Sequence, residues 1–214
     1  MFRRALAFFA AALFSFGAFA AEPIFVGHDY TVVKPVRGAA AGNKIEVLEF
    51  FWYRCPHCFQ LEPGLNRWIK TLSKDVQVRR VPTVLRPDWQ PGAKLYYALE
   101  QMNLLGRLHH RVFDAYHIER LDLDNPAVLD QWLAKQGVDR AKFKVAYDFG
   151  STPRIRTAQQ LVSGYGISGV PAFVVDGKYA TSVSLTGSEA RLFEVLDQLV
   201  ALARAEREAA KTKR

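Results

Sequence analysis

The feature that most constrains the fold is a junction. Asn43–Tyr53, "NKIEVLEFFWY", is rich in Val, Ile and aromatic residues, which predicts a strand buried on both faces, as in a parallel sheet. It runs straight into "CPHCFQLEPGLNRWIKTL", where Leu61, Leu65, Trp68, Ile69 and Leu72 recur at helical spacing. Pro56 suits the first helical position, because it needs no donor there and its φ is preset. Pro63 and Gly64 predict a kink or interruption farther along. "VQVRRVP" (Val76–Pro82) predicts a second strand. Strand, helix and strand make a βαβ unit, whose crossover should be right-handed.

The pattern then changes. From about Pro91 to Ser163 the chain reads as helical, beginning with Leu95, Leu99, Met102, Leu105, Leu108, Val112 and Phe113 at helical spacing. "DNPAVLDQWLAKQG" carries a helix start at Asn125-Pro126 and a stop at Gly137, and "STPRIRTAQQLVSG" repeats that design with Thr152, Pro153 and Gly164. Strand signals return in "PAFVVDGKYATSV", with Asp176-Gly177 as a hairpin turn. A last helix is predicted over about Ser188–Glu208, with Leu192, Val195, Leu196, Leu199 and Leu202 on one stripe and a charged end that frays. The expected architecture is one α/β domain formed by residues 24–82 and 167–208, split by a mostly helical insertion over residues 83–166.

At the amino terminus Arg3 and Arg4 precede an unbroken run of apolar and small residues from Ala5 to Ala20, and Ala18-Phe19-Ala20 fits the small-x-small cleavage rule. This predicts a cleaved secretory signal over residues 1–20. The run is short of the ~20 residues of a comfortable membrane span. No cysteine follows it, which excludes a lipoprotein anchor, and the pattern around the arginine pair fits twin-arginine export poorly. The mature chain is expected in a compartment where disulfides persist, specifically the bacterial periplasm. Without Arg3 and Arg4 it keeps 27 basic residues against 21 acidic, a net +6. That excess is modest and forms no basic stripe interleaved with aromatics, so nucleic acid is not an expected partner.

Cys55 and Cys58 are the only cysteines in 214 residues. A pair spaced C-x-x-C, directly after a strand and opening a helix, is the redox arrangement. The helix start offers unpaired N–H groups and roughly half a positive charge to a thiolate at Cys55. Cys58, one turn on, is near enough to close a disulfide. Stabilising that thiolate lowers its pKa, improves it as a leaving group and raises the reduction potential of the pair. Pro56 contributes no N–H, and His57 adds a donor, or a positive charge when protonated. A zinc site needs four ligands, and two of His28, His109, His110 and His117 would have to complete it. Covalent haem needs His after the second cysteine, where Phe59 stands. A structural disulfide this short constrains little.

"VLEFFWYRCPHC", the helical insertion and "GVPAFVVDGKY" together resemble the DsbA family of thioredoxin-fold thiol:disulfide oxidants, over most of the mature chain and in the same order. The resemblance implies that Cys55 is the exposed nucleophile and Cys58 its buried partner. It also implies a cis Val170–Pro171 bond facing the cysteines, with the Val170 backbone turned outward to pair with an extended substrate peptide. Glu49 shares parity with Ile45, Val47 and Phe51 in the first strand. If buried there its pKa should rise, making it a proton carrier for Cys58, with Arg80 or Arg79 as basic partner; an edge-exposed glutamate is the alternative. His109, His110 and His117 are expected at the surface or in packing, and at least two of Phe51, Trp52 and Tyr53 in the core.

The expected function is therefore donation of the Cys55–Cys58 disulfide to reduced, unfolded exported polypeptides through a mixed disulfide. A DsbB-like membrane oxidase would restore it. No cofactor or metal beyond the disulfide is expected, and the chain should be a monomer. A disulfide isomerase or reductase is the nearest alternative. A non-catalytic chaperone or a metal-binding module is more remote.

Overall fold

The computed structural model describes residues 22–35 and 42–213. The predicted leader, residues 1–20, lies outside them. The sheet runs β1 (Thr31–Val32), β2 (Ile45–Phe51), β3 (Val76–Pro82), β4 (Ala172–Val175) and β5 (Tyr179–Ser182) along the chain, in the spatial order β1-β5-β4-β2-β3. β2 pairs parallel with β3 and antiparallel with β4, and β5 pairs antiparallel with both β4 and β1. All seven residues of β2 are buried, as a central strand covered on both faces requires. The short edge strand β1 is an element that the sequence pattern did not single out.

The helix after β2 is α1 (Pro56–Thr71), and the two strands it links are neighbours, so the βαβ unit is present. α1 is not interrupted at Pro63 or Gly64. Pro63 sits on its exposed side. Gly64 is buried against the last helix, where a Cβ would run into the side chains of Glu189 and Phe193. Tertiary packing here offsets the ~1 kcal/mol that glycine costs inside a helix.

From β3 to β4 the regular structure among the described residues is helical: a 3₁₀ turn at Pro87–Trp89, then α2 (Gln90–Gln101), α3 (Leu105–His117), α4 (Pro126–Lys135), α5 (Arg140–Val145), a π turn at Ala146–Gly150, and α6 (Ser151–Tyr165). The long helical stretch expected from Leu95 to Phe113 is broken between α2 and α3. Asn103 takes φ 56°, which Asn tolerates better than most residues. Its N–H reaches Glu100 O at 2.9 Å, and the Leu104 N–H reaches Leu99 O at 2.8 Å, the paired bonds of a Schellman stop. Gly137 ends α4 by the same device, as expected. α6 stops at Gly166 rather than Gly164, and Thr152 does not cap it, because the chain enters α6 directly from the π turn. Asn125 caps α4 as anticipated, its side chain accepting from the Ala127 N–H at 2.9 Å.

Beyond β5 lie α7 (Val183–Thr186), also unforeseen, and α8 (Glu189–Thr212). Ser188 caps α8, accepting from the Arg191 N–H. The helix continues through the charged tail expected to fray. Leu192, Val195, Leu196 and Leu199 face the core as expected, but Leu202 is exposed and Val200 and Ala203 take the inner positions. The Asp176-Gly177 turn has both residues at positive φ and is closed by the Lys178 N–H on Val175 O.

The sheet separates two apolar cores. Ile45, Val47, Phe173 and Val175 pack with α1 and α8. Leu48, Phe50 and Val174 pack with α2, α3 and α6. Odd-numbered Glu49 belongs to the side where α1 lies.

Candidate active site

β2 delivers the chain to Tyr53, and α1 starts at Pro56, so Cys55 is the residue that caps the helix, with extended φ −76° and ψ 116°. Its N–H bonds back to Trp52 O at 3.0 Å, and its carbonyl accepts from the Phe59 N–H at 3.1 Å. The sulfur is thereby aimed at the open end of α1. Both cysteines are free thiols. The Cys55 pKa is brought down to about 6 by the Cys58 thiol donating to it, against the cost of burial, with help from the N–H groups of Cys58 and His57 and the His57 charge. The Cys58 thiol is pushed well up by burial and by the negative charge it would share with Cys55 and Glu49. One sulfur is thus built to be a thiolate and the other to keep its proton.

The expectation that Cys55 is exposed needs correction. It is 7% exposed, against 1% for Cys58. What covers it is the loop before β4: Cys55 Sγ lies 3.5 Å from Val170 O, to which it donates when protonated. The Val170–Pro171 bond is cis. A cleft of about 380 Å³ opens along this loop, lined by Tyr165, Gly169, Val170, Pro171 and Ser182. Pro56 and His57 face solvent.

Glu49 is 2% exposed, so the edge-exposed alternative does not hold. In the parallel register it stands beside Arg80, whose Nε donates to its Oε2 at 2.9 Å. The open choice of basic partner is settled by that contact, since Arg79 instead binds Glu46 at 2.9 Å. Burial raises the Glu49 pKa to about 7, working against the Arg80 charge. A second carboxylate, Glu62 on α1, was not foreseen. It accepts from Arg80 Nη2 at 3.0 Å and from Asn66 Nδ2 at 2.8 Å. The only signal for it is position: four residues after Cys58 it lies on the same side of α1, facing the sheet.

The histidines of α3 were expected at the surface or in packing. His110 is exposed, while His109 is buried among Phe51, Tyr53, Tyr96 and Phe113. They also do more than pack. Tyr53 Oη lies 2.7 Å from His109 Nδ1, and His117 Nε2 donates to Tyr53 O at 2.7 Å while its ring stacks on Phe59. Next along, Arg54 bonds Asp124 at 2.6 Å, and Asp124 accepts from Tyr116. The two residues before Cys55 are thus held by the helical segment. Phe51 and Tyr53 are core residues as expected, and Trp52 is half-buried, stacked on Trp89 with ring centroids 4.1 Å apart. Among the described residues no cluster of His, Cys, Asp and Glu is arranged to hold a metal.

Comparison with known proteins agrees with this geometry. The family model described as "DSBA-like thioredoxin domain" matches residues 82–199. The chain is 40% identical over 177 residues to the thiol:disulfide interchange protein DsbA of Bordetella parapertussis, covering 82% of this chain and 84% of that one. It is 38% identical over 176 residues to the DsbA of Burkholderia cepacia, covering 81% and 83%. The crystal structure of Pseudomonas aeruginosa DsbA superposes with a TM-score of 0.81 at 32% identity, covering 85% of this chain and 95% of that one. With a thioredoxin-like sheet, a helical insertion and adjacent cysteines of opposite acidity, the chain belongs to the DsbA family and is a thiol:disulfide oxidoreductase.

Proposed function

We propose that the protein works in the oxidising direction, giving its Cys55–Cys58 disulfide to reduced polypeptides exported to the periplasm. The observation that carries this reading is the acidity difference between the two thiols. A substrate thiolate attacks Cys55 Sγ, and the S–S bond breaks with its electron pair going to Cys58, which takes a proton from the Glu49 carboxylic acid. A second substrate thiolate then attacks the substrate sulfur of the mixed disulfide, and Cys55 leaves as a thiolate. The substrate loses two electrons, and the enzyme ends as a dithiol. An acidic Cys55 favours this last departure, because a lower leaving-group pKa leaves faster.

In this reading Val170 and Pro171 form the substrate-binding edge. An extended substrate segment pairs with the Val170 carbonyl, which lies 3.5 Å from Cys55 Sγ. Pro56 starts α1 without adding a donor, and His57 contributes its N–H, and a charge when protonated, to the field on Cys55. Residues 24–82 and 167–208 act as the redox domain and residues 83–166 as its cover. A membrane oxidase of the DsbB kind returns the dithiol to the disulfide, and the protein acts as a monomer.

The test is catalysed disulfide formation in a reduced, unfolded protein with two cysteines, together with the equilibrium of the pair against glutathione. Stoichiometric oxidation and a pair that glutathione readily reduces are expected. Faster repair of a scrambled substrate than oxidation of a reduced one would favour the isomerase reading instead.

A further inference from the structure

Two buried carboxylates, Glu49 and Glu62, share one guanidinium, and their surroundings are unequal. Among the described side chains Glu49 accepts only from Arg80 Nε. Glu62 accepts from Arg80 Nη2 at 3.0 and 3.2 Å and from Asn66 Nδ2 at 2.8 Å. Asn66 is held in that orientation because its Oδ1 accepts from Arg80 Nη2 at 2.9 Å. His109 adds a third neighbour. Its Nε2 is buried without a hydrogen-bond partner and lies 3.5 Å from Glu62 Oε1.

The tautomer of His109 follows from the two ends of its ring. While Glu62 is ionised, a lone pair on Nε2 would face a carboxylate oxygen, which is repulsive, so in that state Nε2 carries the hydrogen. Nδ1 is then the acceptor of the Tyr53 hydroxyl. The positive end of that N–H, 3.5 Å from Oε1, favours the ionised form of Glu62 over the protonated one. The other groups facing this cluster are Tyr96 from α2, Cys58 from α1 and His110 from α3.

We propose that Asn66 and His109 are positioning residues that keep Glu62 ionised and thereby assign the mobile proton of the buried pair to Glu49. Two carboxylates this close to one cation do not both stay charged easily. The one with more donors keeps the charge, and the other takes the proton. If Glu62 held that proton, it would sit on α1 between Asn66 and the α3 histidine. The opposed shifts fit: burial raises Glu49, whereas Glu62 falls below the usual carboxylate range because the histidine contact, the Arg80 charge and the Asn66 bond outweigh its burial. The inference rests on the reading of Glu49 as proton carrier for Cys58.

The experiment is a carboxyl-carbon NMR titration of Glu49 and Glu62 in the reduced protein, run with the pH profile of mixed-disulfide resolution by Cys58. It compares wild type, Glu49→Gln, His109→Phe and Asn66→Leu. Glu49→Gln should abolish a limb of the pH profile. His109→Phe and Asn66→Leu should each raise the Glu62 midpoint by about 1 unit, lower that of Glu49, and move the limb to lower pH. Asn66→Leu leaves the α3 packing intact, so it reports even where His109→Phe folds poorly. A purely structural role would lower stability in these variants and leave both midpoints and the limb in place, which overturns the proposal. An unchanged profile in Glu49→Gln would instead overturn the proton-carrier reading beneath it.

Discussion

Cys55 Sγ lies 3.5 Å from the carbonyl oxygen of Val170, across 115 residues of sequence. The contact joins the end of β2 to the loop before β4 and, in the proposed mechanism, places the attacked sulfur against the backbone that pairs with substrate. The roles of the two cysteines should separate accordingly. Cys58→Ser should accumulate a mixed disulfide between Cys55 and a substrate peptide, visible by mass spectrometry. Cys55→Ser should form none and lose oxidase activity, whereas a chaperone function would survive in it.

The reduced protein should be more stable than the oxidised one, by an amount that depends on pH. The Cys55 pKa falls from an unfolded value of about 8.5 to about 6. A depressed pKa contributes stability that is fully present above the unfolded value and lost as pH falls through 6. At pH 7 the contribution is on the order of 1 kcal/mol after allowance for solvent screening. Cys58 has the opposite sign. Its pKa is raised, so its contribution is lost as pH climbs past the unfolded value. The excess stability of the dithiol form should therefore grow between pH 6 and about 8.5 and then decline. Denaturant melts of both forms across that range check this, and a difference independent of pH would contradict it.

Replacing Arg80 with Leu should be among the most damaging single changes. It leaves Glu49 and Glu62 buried with no guanidinium between them, and removing one partner of a buried ion pair costs about 3–5 kcal/mol. Urea melts should show the loss at pH 7 and a smaller one in acid, where the carboxylates protonate. Arg79→Leu should cost less, since Arg79 is more exposed than Arg80.

Helix α4 offers a simpler check. Asn125→Ala removes the side-chain acceptor for the Ala127 N–H, and the loss should be about 1 kcal/mol with no change in redox potential. A shift in potential would mean that the helical segment communicates with the cysteines through α4.

Local signals made most of this legible in advance. The β2–α1 junction, the parallel β3 and the Asp176-Gly177 turn each rest on residues a few positions apart, and each is where the pattern placed it. Asn103 was missed because asparagine in the left-handed region is a weaker stop signal than glycine. Thr152-Pro153 misled for the converse reason, since a good cap sequence is overridden when the chain enters already helical. In the site, Cys55, Cys58, Pro171 and Glu49 stood out, whereas Glu62, Asn66 and His109 did not. Their significance comes from Arg80 and Tyr53, 14 to 56 residues away, and only the packing of α1 and α3 on the sheet brings those groups together.

The decisive quantity is the acidity of Cys55. Thiolate absorbance of the reduced protein, titrated with pH and repeated on Cys55→Ser and Cys58→Ser, measures it directly. A transition near pH 6 that disappears with Cys55 and survives, moved upward, in Cys58→Ser is the expected result. A transition near ~8.5, the value of an ordinary thiol, or one that belongs to Cys58, would contradict the assignment of Cys55 as the stabilised leaving group.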